Sequence, residues 1–337
     1  MRGPRRRCIG NATCVARFDA AGSAGAVTVD SARRVRRLAP VAGAVLLLVA
    51  CGTGGREAPP APTDGVAIAS FNFAESRLVA EIYAQALEDE GIRVRRELDL
   101  GPRELVMPPL RLGLVDIVPE YLGSAMTEAA PTAAVDPSDP VAVSGALAAA
   151  VEPWGLSVLV HARAQNQNGL VVTRPTAERL ALHATSDLGP VAPTLTLGGP
   201  PECPVRRQCL EGLAEVYGLR FGAFVPLAGQ SYVRQALGDG VIDVGVLFTT
   251  DGALAGDDLV LLDDDRGLQP AENLAPLVRS EILDGPDGQA VTTALDEVSQ
   301  RLTTANLRFL NWRVSVAGND PASEARGWLI RQGLVDR

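Results

Sequence analysis

An eight-residue pattern occurs twice in the chain and constrains its fold more than any other feature of the sequence. Residues 110–117 read Leu-Arg-Leu-Gly-Leu-Val-Asp-Ile, and residues 237–244, 127 positions later, read Leu-Gly-Asp-Gly-Val-Ile-Asp-Val. Each copy is typical of a helix end, a glycine cap and a buried strand that opens with Asp. A chance match is the alternative interpretation. The repeat predicts two lobes on one α/β plan, with both strand ends at a shared cleft, where open parallel sheets bind ligands.

Short apolar runs alternate with helical patterns from Val66 onwards, which indicates an α/β fold. Two segments, at about residues 160–170 and 266–276, are predicted to cross between the lobes. Lobe I is therefore expected to hold residues 65–163 and 272–337, and lobe II residues 164–271. Two crossings form a hinge that can close on a ligand. Residues 287–310 are predicted to be a helical tail that packs on lobe I.

The N-terminal region has the features of an export signal. An apolar run, Leu38–Ala50, is too short to cross a bilayer and follows four arginines, Arg33, Arg34, Arg36 and Arg37. The run ends at Cys51 and resembles the bacterial lipobox, in which this cysteine is lipidated and residues 1–50 are removed. A core helix that ends in Cys is the alternative. Residues 51–64 are expected to be a tether, and the first thirty residues are interpreted as an over-long start assignment. The resemblance implies a lipid anchor on the extracytoplasmic face of the cell membrane.

Charge and motif content argue against nucleic-acid binding and catalysis. The chain has a formal net charge of −9, and its first 50 residues are the basic part. Clustered basic residues, which nucleic-acid binding requires, are therefore missing from the remainder. The two histidines, His161 and His183, accompany no hydrolase or zinc-protease motif, and no phosphate-binding loop is present. The run 263–265 of three Asp lacks the ligand spacing of a calcium loop. No enzyme activity, metal or cofactor is expected.

Two cysteines, Cys203 and Cys209, remain in the body of the chain after Cys51 and the cysteines of the first 50 residues are set aside. Outside the membrane, such a pair is predicted to form a disulfide rather than two thiols.

Four motifs occur in a characteristic order: residues 68–75 (Ile-Ala-Ser-Phe-Asn-Phe-Ala-Glu), 115–124 (Val-Asp-Ile-Val-Pro-Glu-Tyr-Leu-Gly-Ser), 198–202 (Gly-Gly-Pro-Pro-Glu) and 248–252 (Phe-Thr-Thr-Asp-Gly), with Leu-Asn at 310–311. They resemble the substrate-binding proteins of osmoprotectant ATP-binding-cassette importers, which bind glycine betaine, choline, carnitine and similar quaternary amines. The resemblance covers about residues 66–335. It implies a monomer with the two-lobed type II periplasmic-binding-protein fold. Its partners would be a small-molecule solute, a permease and the ATPase of that permease.

The resemblance also implies a binding site. The family holds the quaternary ammonium among aromatic rings by cation–π attraction. Carried over by motif, Tyr121 matches a ring of this cage, Ser124 a hydroxyl ligand, and Arg206 the arginine that binds a carboxylate. The residues themselves leave other interpretations open, since Tyr121 is also compatible with a core tyrosine and Arg206 with a solvated charge.

Several positions depart from the family pattern. Phe71 stands where the family often has Lys, Asn166 and Asn168 stand in a block that usually contains Tyr, and Phe248 and Glu272 each replace a Tyr. Phe248 is also compatible with a core position and Glu272 with an exposed hinge residue. Nine residues are predicted to bind ligand: Phe71, Asn72, Tyr121, Ser124, Asn166, Asn168, Arg206, Phe248 and Glu272. The loss of Lys and the gain of Glu272 favour cations over zwitterionic betaines. A receptor for another polar or cationic solute, and an envelope lipoprotein without transport function, are the alternatives.

Overall fold

A computed structural model of the protein describes residues 65–336, and the predicted lipidation site Cys51 lies outside them. Five strands form the first sheet, in the order β2-β1-β3-β10-β4. The strands are β1 (Val66–Ala69), β2 (Val94–Glu97), β3 (Ile117–Tyr121), β4 (Leu156–Val158) and β10 (Leu274–Arg279). Strands β1, β2 and β3 are parallel, whereas β10 runs antiparallel to both of its neighbours. Every residue of β1 and β3 is buried, as expected of strands covered on both faces.

The second sheet repeats this arrangement, in the order β7-β6-β8-β5-β9. Its strands are β5 (Asn168–Thr173), β6 (Thr196–Gly199), β7 (Ala223–Pro226), β8 (Val244–Phe248) and β9 (Leu259–Leu261). Strands β6, β7 and β8 are parallel, and β5 runs antiparallel to β8 and β9. The strand that follows each copy of the sequence repeat, β3 or β8, occupies the middle of its sheet. The prediction of a two-lobed α/β fold is confirmed.

Helices cover both sheets. Lobe I contains α1 (Ala74–Asp89), α2 (Arg103–Arg111), α3 (Leu122–Ala129), α4 (Pro140–Val151), α8 (Ser280–Leu283), α9 (Gly288–Arg301), α10 (Thr304–Asn311) and α11 (Pro321–Gln332). Lobe II contains α5 (Arg174–Leu180), α6 (Leu210–Val216) and α7 (Gln230–Gly238). The core of lobe I includes the apolar faces of α1, α9, α10 and α11. The tail predicted at residues 287–310 therefore packs on lobe I, as α9 and α10, and α11 extends it. Lobe II has two smaller cores on either face of its sheet.

The two repeats have the same local structure, which explains the sequence pattern. Asp116, the residue before β3, donates its backbone N–H to the carbonyl of Ala67 and accepts the N–H of Ala67 with Oδ2, at 2.7 and 2.8 Å. Asp243, the residue before β8, makes the same two bonds to Thr196, at 3.0 and 2.8 Å. The glycine three residues before each Asp has a positive φ, of 72° and 69°, which only glycine adopts without strain. Each Asp therefore joins its strand to the neighbouring parallel strand.

The chain crosses between the sheets twice, from β4 to β5 and from β9 to β10. The two crossing segments lie side by side, because Gln165 bridges Asn273 and the N–H of Asn166 donates to the carbonyl of Glu272 at 2.9 Å. Helix α10 adds a third connection, since the side chain of Asn311 donates to the carbonyl of Thr250 in lobe II at 2.9 Å. The predicted residue boundaries of the lobes, at 163/164 and 271/272, stay predictions.

Three smaller findings bear on the predictions from the sequence. Cys203 and Cys209 are joined by a disulfide, with their Cα atoms 5.2 Å apart. Within residues 65–336, no helix is long and apolar enough to cross a membrane. The same range contains no cluster of three or more His, Cys, Asp or Glu side chains that could hold a metal ion.

Candidate ligand-binding cleft

The ends of the two repeat strands meet a cavity of about 660 Å³ between the lobes. Tyr121 is the last residue of β3 and Phe248 the last residue of β8, and both side chains line this cavity. We call it the central cavity. Its charged and aromatic lining consists of Phe73, Glu75, Arg103, Tyr121, Arg234, Phe248, Asp251 and Glu272. The cavity thus lies where the carboxyl ends of parallel strands place a ligand site.

Three aromatic rings line the central cavity. The rings of Phe73 and Tyr121 have centroids 6.1 Å apart and are tilted by 33°. Phe248 reaches the same cavity from lobe II with 43% of its surface exposed, and Phe73 is 39% exposed. Partly exposed rings on both sides of an interlobe cavity can contact a bound cation through their faces.

The structure places Phe71 and Asn72, both predicted to bind ligand, outside the lining of the central cavity. Phe71 is 3% exposed and stacks behind Phe73, with ring centroids 6.0 Å apart. Its N–H donates to the hydroxyl of Ser76 in the first turn of α1, at 2.9 Å, which holds the residue under the helix. Asn72 is exposed to solvent, with its N–H bonded to the carbonyl of Gly101. Phe73, two residues after Phe71, is the aromatic residue of this motif that lines the central cavity.

A carboxylate, Glu75, lies beside these rings and is held by three neutral donors. The hydroxyl of Tyr121 and the amide of Asn166 donate to Oε1, at 2.7 and 2.9 Å, and the amide of Asn311 donates to Oε2 at 2.5 Å. Burial, and then the charge of Glu75, raise the pKa of Tyr121 well above its ordinary value, so the phenol stays a neutral donor. Glu75 is only 5% exposed and receives no direct ion pair within residues 65–336.

Glu272 brings a second carboxylate to the central cavity from the return crossing. Its Oε1 accepts the hydroxyl of Ser124 at 2.8 Å, and its Oε2 accepts the Ser124 N–H at 3.1 Å. Burial raises the pKa of Glu272 from 4.5 to about 7, against the two Ser124 donors and the field of Arg103, which lower it. Gly123 permits this approach, because a Cβ there would lie 3.0 Å from the carbonyl oxygen of Ala271 and 3.1 Å from Oε1 of Glu272.

Two arginines line the central cavity, and each is paired with an acid. Arg103 donates from Nε and Nη2 to the two oxygens of Glu120, at 2.8 and 2.9 Å. Glu120 is 1% exposed, so this pair is largely removed from water. In lobe II, Arg234 donates to Oδ2 of Asp251 at 2.6 Å. The positive charges of the lining are therefore already balanced by acids of the protein.

A second cavity of about 810 Å³ adjoins the first, and the two share five lining residues: Arg103, Ser124, Gln230, Phe248 and Glu272. Arg206 and Asn168 line this outer cavity rather than the central one. Arg206 is exposed to solvent, in the loop that the disulfide closes. Asn168 begins β5, opposite Phe248 in the ladder with β8. The structure therefore brings Tyr121, Ser124, Asn166, Phe248 and Glu272 together at the central cavity, and places Arg206 and Asn168 beside it.

Sequence reasoning missed several residues of the cavity lining, above all Phe73, Glu75, Arg103, Arg234 and Asn311. Phe73, Glu75 and Asn311 lie within the motifs that carried the resemblance, so the motifs themselves were a usable signal. Arg103 is the first residue of α2 and Arg234 lies in the middle of α7, both outside any motif. Nothing in the sequence distinguishes them from surface arginines.

Comparison with known proteins identifies the family. Residues 64–331 match the family described as the substrate-binding domain of the ABC-type glycine betaine transport system. The glycine-betaine-binding protein of Pseudomonas aeruginosa is 29% identical over 286 residues, which cover 82% of this chain and 90% of that protein. The glycine betaine-binding protein YehZ of Escherichia coli is 26% identical, over 87% of this chain and 97% of its own length.

Among solved structures, the fold is similar to that of a glycine betaine/carnitine/choline ABC transporter protein. The TM-score is 0.74 at 24% sequence identity, and the match covers 80% of this chain and 100% of that one. This likeness shows the fold, and the family match extends over nearly all of the described residues. The chain belongs to the family of substrate-binding domains of ABC-type glycine betaine transport systems, and it is the solute-binding component of such a transporter rather than an enzyme.

Proposed function

We propose that this protein is the lipid-anchored, extracytoplasmic receptor of its transporter for a solute that carries a quaternary ammonium group. The observation that carries the proposal is the central cavity, where Phe73, Tyr121 and Phe248 present rings beside the carboxylates of Glu75 and Glu272. A well-placed ring attracts a cation by about 0.5–2 kcal/mol. The relatives named as glycine betaine-binding proteins support the same class of solute.

The receptor acts by binding alone. The cavity is bounded by both lobes, so a solute that contacts Tyr121 of lobe I and Phe248 of lobe II favours the arrangement in which both rings reach it. A ligand shifts such an equilibrium by its difference in affinity for the two states. The closed, monomeric receptor then docks on the permease, whose ATPase drives release.

Calorimetry on ring variants tests the assignment of the cage. Phe248→Ala should weaken the best ligand of a panel (glycine betaine, choline, carnitine, proline betaine and arginine) by about 2- to 30-fold, since one cation–π contact is lost. Phe309→Ala is the matched control, because Phe309 is 46% exposed and lies outside the lining of the central cavity. Equal effects of the two substitutions would contradict the assignment.

A thermal-shift screen with the same panel separates the alternatives. A ligand at about 100 times its Kd stabilises the folded state by about 2.7 kcal/mol, which raises the melting temperature. A response to arginine alone would favour a receptor for another cationic solute. No response to any compound would contradict the proposed function and favour an envelope lipoprotein without transport function.

The anchor rests on the sequence before and around Cys51, which lies outside the described residues. Cys51→Ser should abolish labelling by a fatty-acid probe and release the protein from the membrane fraction. Cys14→Ser is the control, because residue 14 belongs to the segment that is expected to be removed. Loss of labelling with both variants, or with neither, would contradict lipidation at Cys51.

A further inference from the structure

In the lining of the central cavity the positive charges are paired with acids, whereas two of the negative charges have no positive partner. Both arginines of the lining are engaged, Arg103 with Glu120 through two hydrogen bonds and Arg234 with Asp251 at 2.6 Å. Each guanidinium keeps further N–H donors, but its net charge is neutralised by its own partner. Each pair is therefore neutral as a whole, so the lining attracts an anion less than an unpaired arginine would.

The two remaining acids of the lining, Glu75 and Glu272, have only neutral donors in hydrogen-bond contact. Glu75 is held by a phenol and two amides, and Glu272 by the N–H and hydroxyl of Ser124. Among the described residues, no Arg or His comes within ion-pair distance of either carboxylate. A buried charge is stabilised when an opposite charge approaches it. A bound cation is the group that supplies this charge from inside the cavity.

The carboxylate of a zwitterion meets no unpaired positive charge in the lining of the central cavity. In glycine betaine a single methylene separates the nitrogen from the carboxylate, so a nitrogen that lies among the rings brings its carboxylate close to the acids of the same lining. Within the lining of the central cavity every positive charge is already paired. Arg206, the arginine that the family resemblance assigns to the ligand carboxylate, is exposed and lines the outer cavity.

We propose that the central cavity selects small quaternary monocations over zwitterionic betaines, and that Glu272, with Glu75 behind it, supplies the counter-charge. The inference rests on the proposed function and names the ligand class of the same site. Selection arises because a monocation gains the rings and the carboxylates together. A zwitterion gains the same rings but brings a third carboxylate beside Glu272.

Calorimetry at low salt and at pH 8, above the raised pKa of about 7 of Glu272, tests the inference with three probes: choline chloride, tetramethylammonium chloride and glycine betaine. Wild-type protein should bind both monocations at least about tenfold more tightly than glycine betaine, because the carboxylates of the lining attract each cation and repel the carboxylate that glycine betaine also carries. Glu272→Gln should weaken both monocations about tenfold while the affinity for glycine betaine stays equal or rises. Gln keeps the shape and can still bond Ser124. Glu178→Gln, at an exposed position of α5, is the matched control and should change none of the three affinities.

The outcomes separate this inference from the proposed function. Glycine betaine binding as tightly as choline, or equal effects of Glu272→Gln and Glu178→Gln on choline, overturns the inference and leaves the receptor function standing. Binding of no probe overturns both. A Glu272→Gln variant with an unchanged circular dichroism spectrum and reduced choline binding, but intact glycine betaine binding, supports the inference and cannot be explained by misfolding.

Discussion

Replacement of Glu272 by Gln should change how the stability of the ligand-free protein depends on pH. The carboxyl of Glu272 lies between the crossing segment and α3, where Ser124 donates two hydrogen bonds to it. Burial raises its pKa from 4.5 to about 7, with a smaller contribution in the same direction from Glu120, while Ser124 and Arg103 act against it. Gln has nearly the same shape and no charge, but it replaces one acceptor oxygen by an NH2 group, a change that does not depend on pH. The pH-dependent part of the stability difference therefore isolates the free energy of carrying this charge in the folded state.

The magnitude follows from the shift in pKa. One pKa unit corresponds to about 1.36 kcal/mol, so a shift from 4.5 to about 7 corresponds to about 3 kcal/mol. Between these two values the folded protein holds a proton on Glu272 that the unfolded chain has lost. Because stability falls with rising pH wherever the folded state binds more protons, wild type should lose stability through this window. Below pH 4.5 Glu272 is neutral in both states, and above pH 7 the full cost is present.

Urea unfolding followed by tryptophan fluorescence measures the effect. All three Trp residues belong to lobe I or its C-terminal helices, so the fluorescence reports the unfolding of lobe I. The free energy of unfolding of wild type minus that of Glu272→Gln should fall by about 3 kcal/mol from pH 4 to pH 8. Glu178→Gln, at an exposed position of α5, should follow the wild-type curve at every pH. If the curves of wild type and Glu272→Gln stay parallel, the carboxyl of Glu272 is solvated and the reasoning is refuted.

Three further substitutions test the scaffold of the cleft by urea unfolding. Cys209→Ser opens the bridge to Cys203 and should cost about 2–3 kcal/mol, an effect that dithiothreitol reproduces in wild type and not in the variant. Asp243→Ala leaves a backbone N–H of the neighbouring strand without its acceptor and should cost about 1–3 kcal/mol, whereas Asp243→Asn, which keeps an oxygen, should cost less. Gly252→Ala places a Cβ 2.6 Å from the backbone nitrogen of Trp312, so overpacking should cost about 1–3 kcal/mol and weaken ligand binding. Unchanged stability and binding would show that Gly252 of lobe II does not pack closely against Trp312.

The repeat pattern made the plan of the fold predictable. Asp116 and Asp243 each bond both backbone groups of one residue in the neighbouring strand, and this geometry depends on a glycine with positive φ three positions earlier. A short local pattern therefore determines a tertiary contact, which is why it survives in both lobes. The resemblance to solute-binding proteins rested on motifs at the strand ends, and Tyr121 and Phe248 do end β3 and β8 at the central cavity.

The ring at the first motif shows what local reasoning left undecided. Phe71 and Phe73 are both aromatic and only two residues apart, and the sequence offered no reason to prefer Phe73. A hydrogen bond from the N–H of Phe71 to Ser76 decides the matter, because it holds Phe71 under α1 and leaves Phe73 at the cavity surface. The position of Arg206 was decided in a similar way, by a disulfide-closed loop at the outer cavity.

The amino-acid sequence by itself determined the two α/β lobes, the cleft between them and the family of the protein, because these follow from strand periodicity, glycine positions and contiguous motifs. Only the tertiary structure decided the electrostatics of the site. The carboxylate of Glu75 is held by Asn311, which is 236 residues away, and Arg103 of α2 is paired with Glu120 of β3. Whether a charge is paired depends on contacts between distant segments, and the sequence carries no local signal for such contacts.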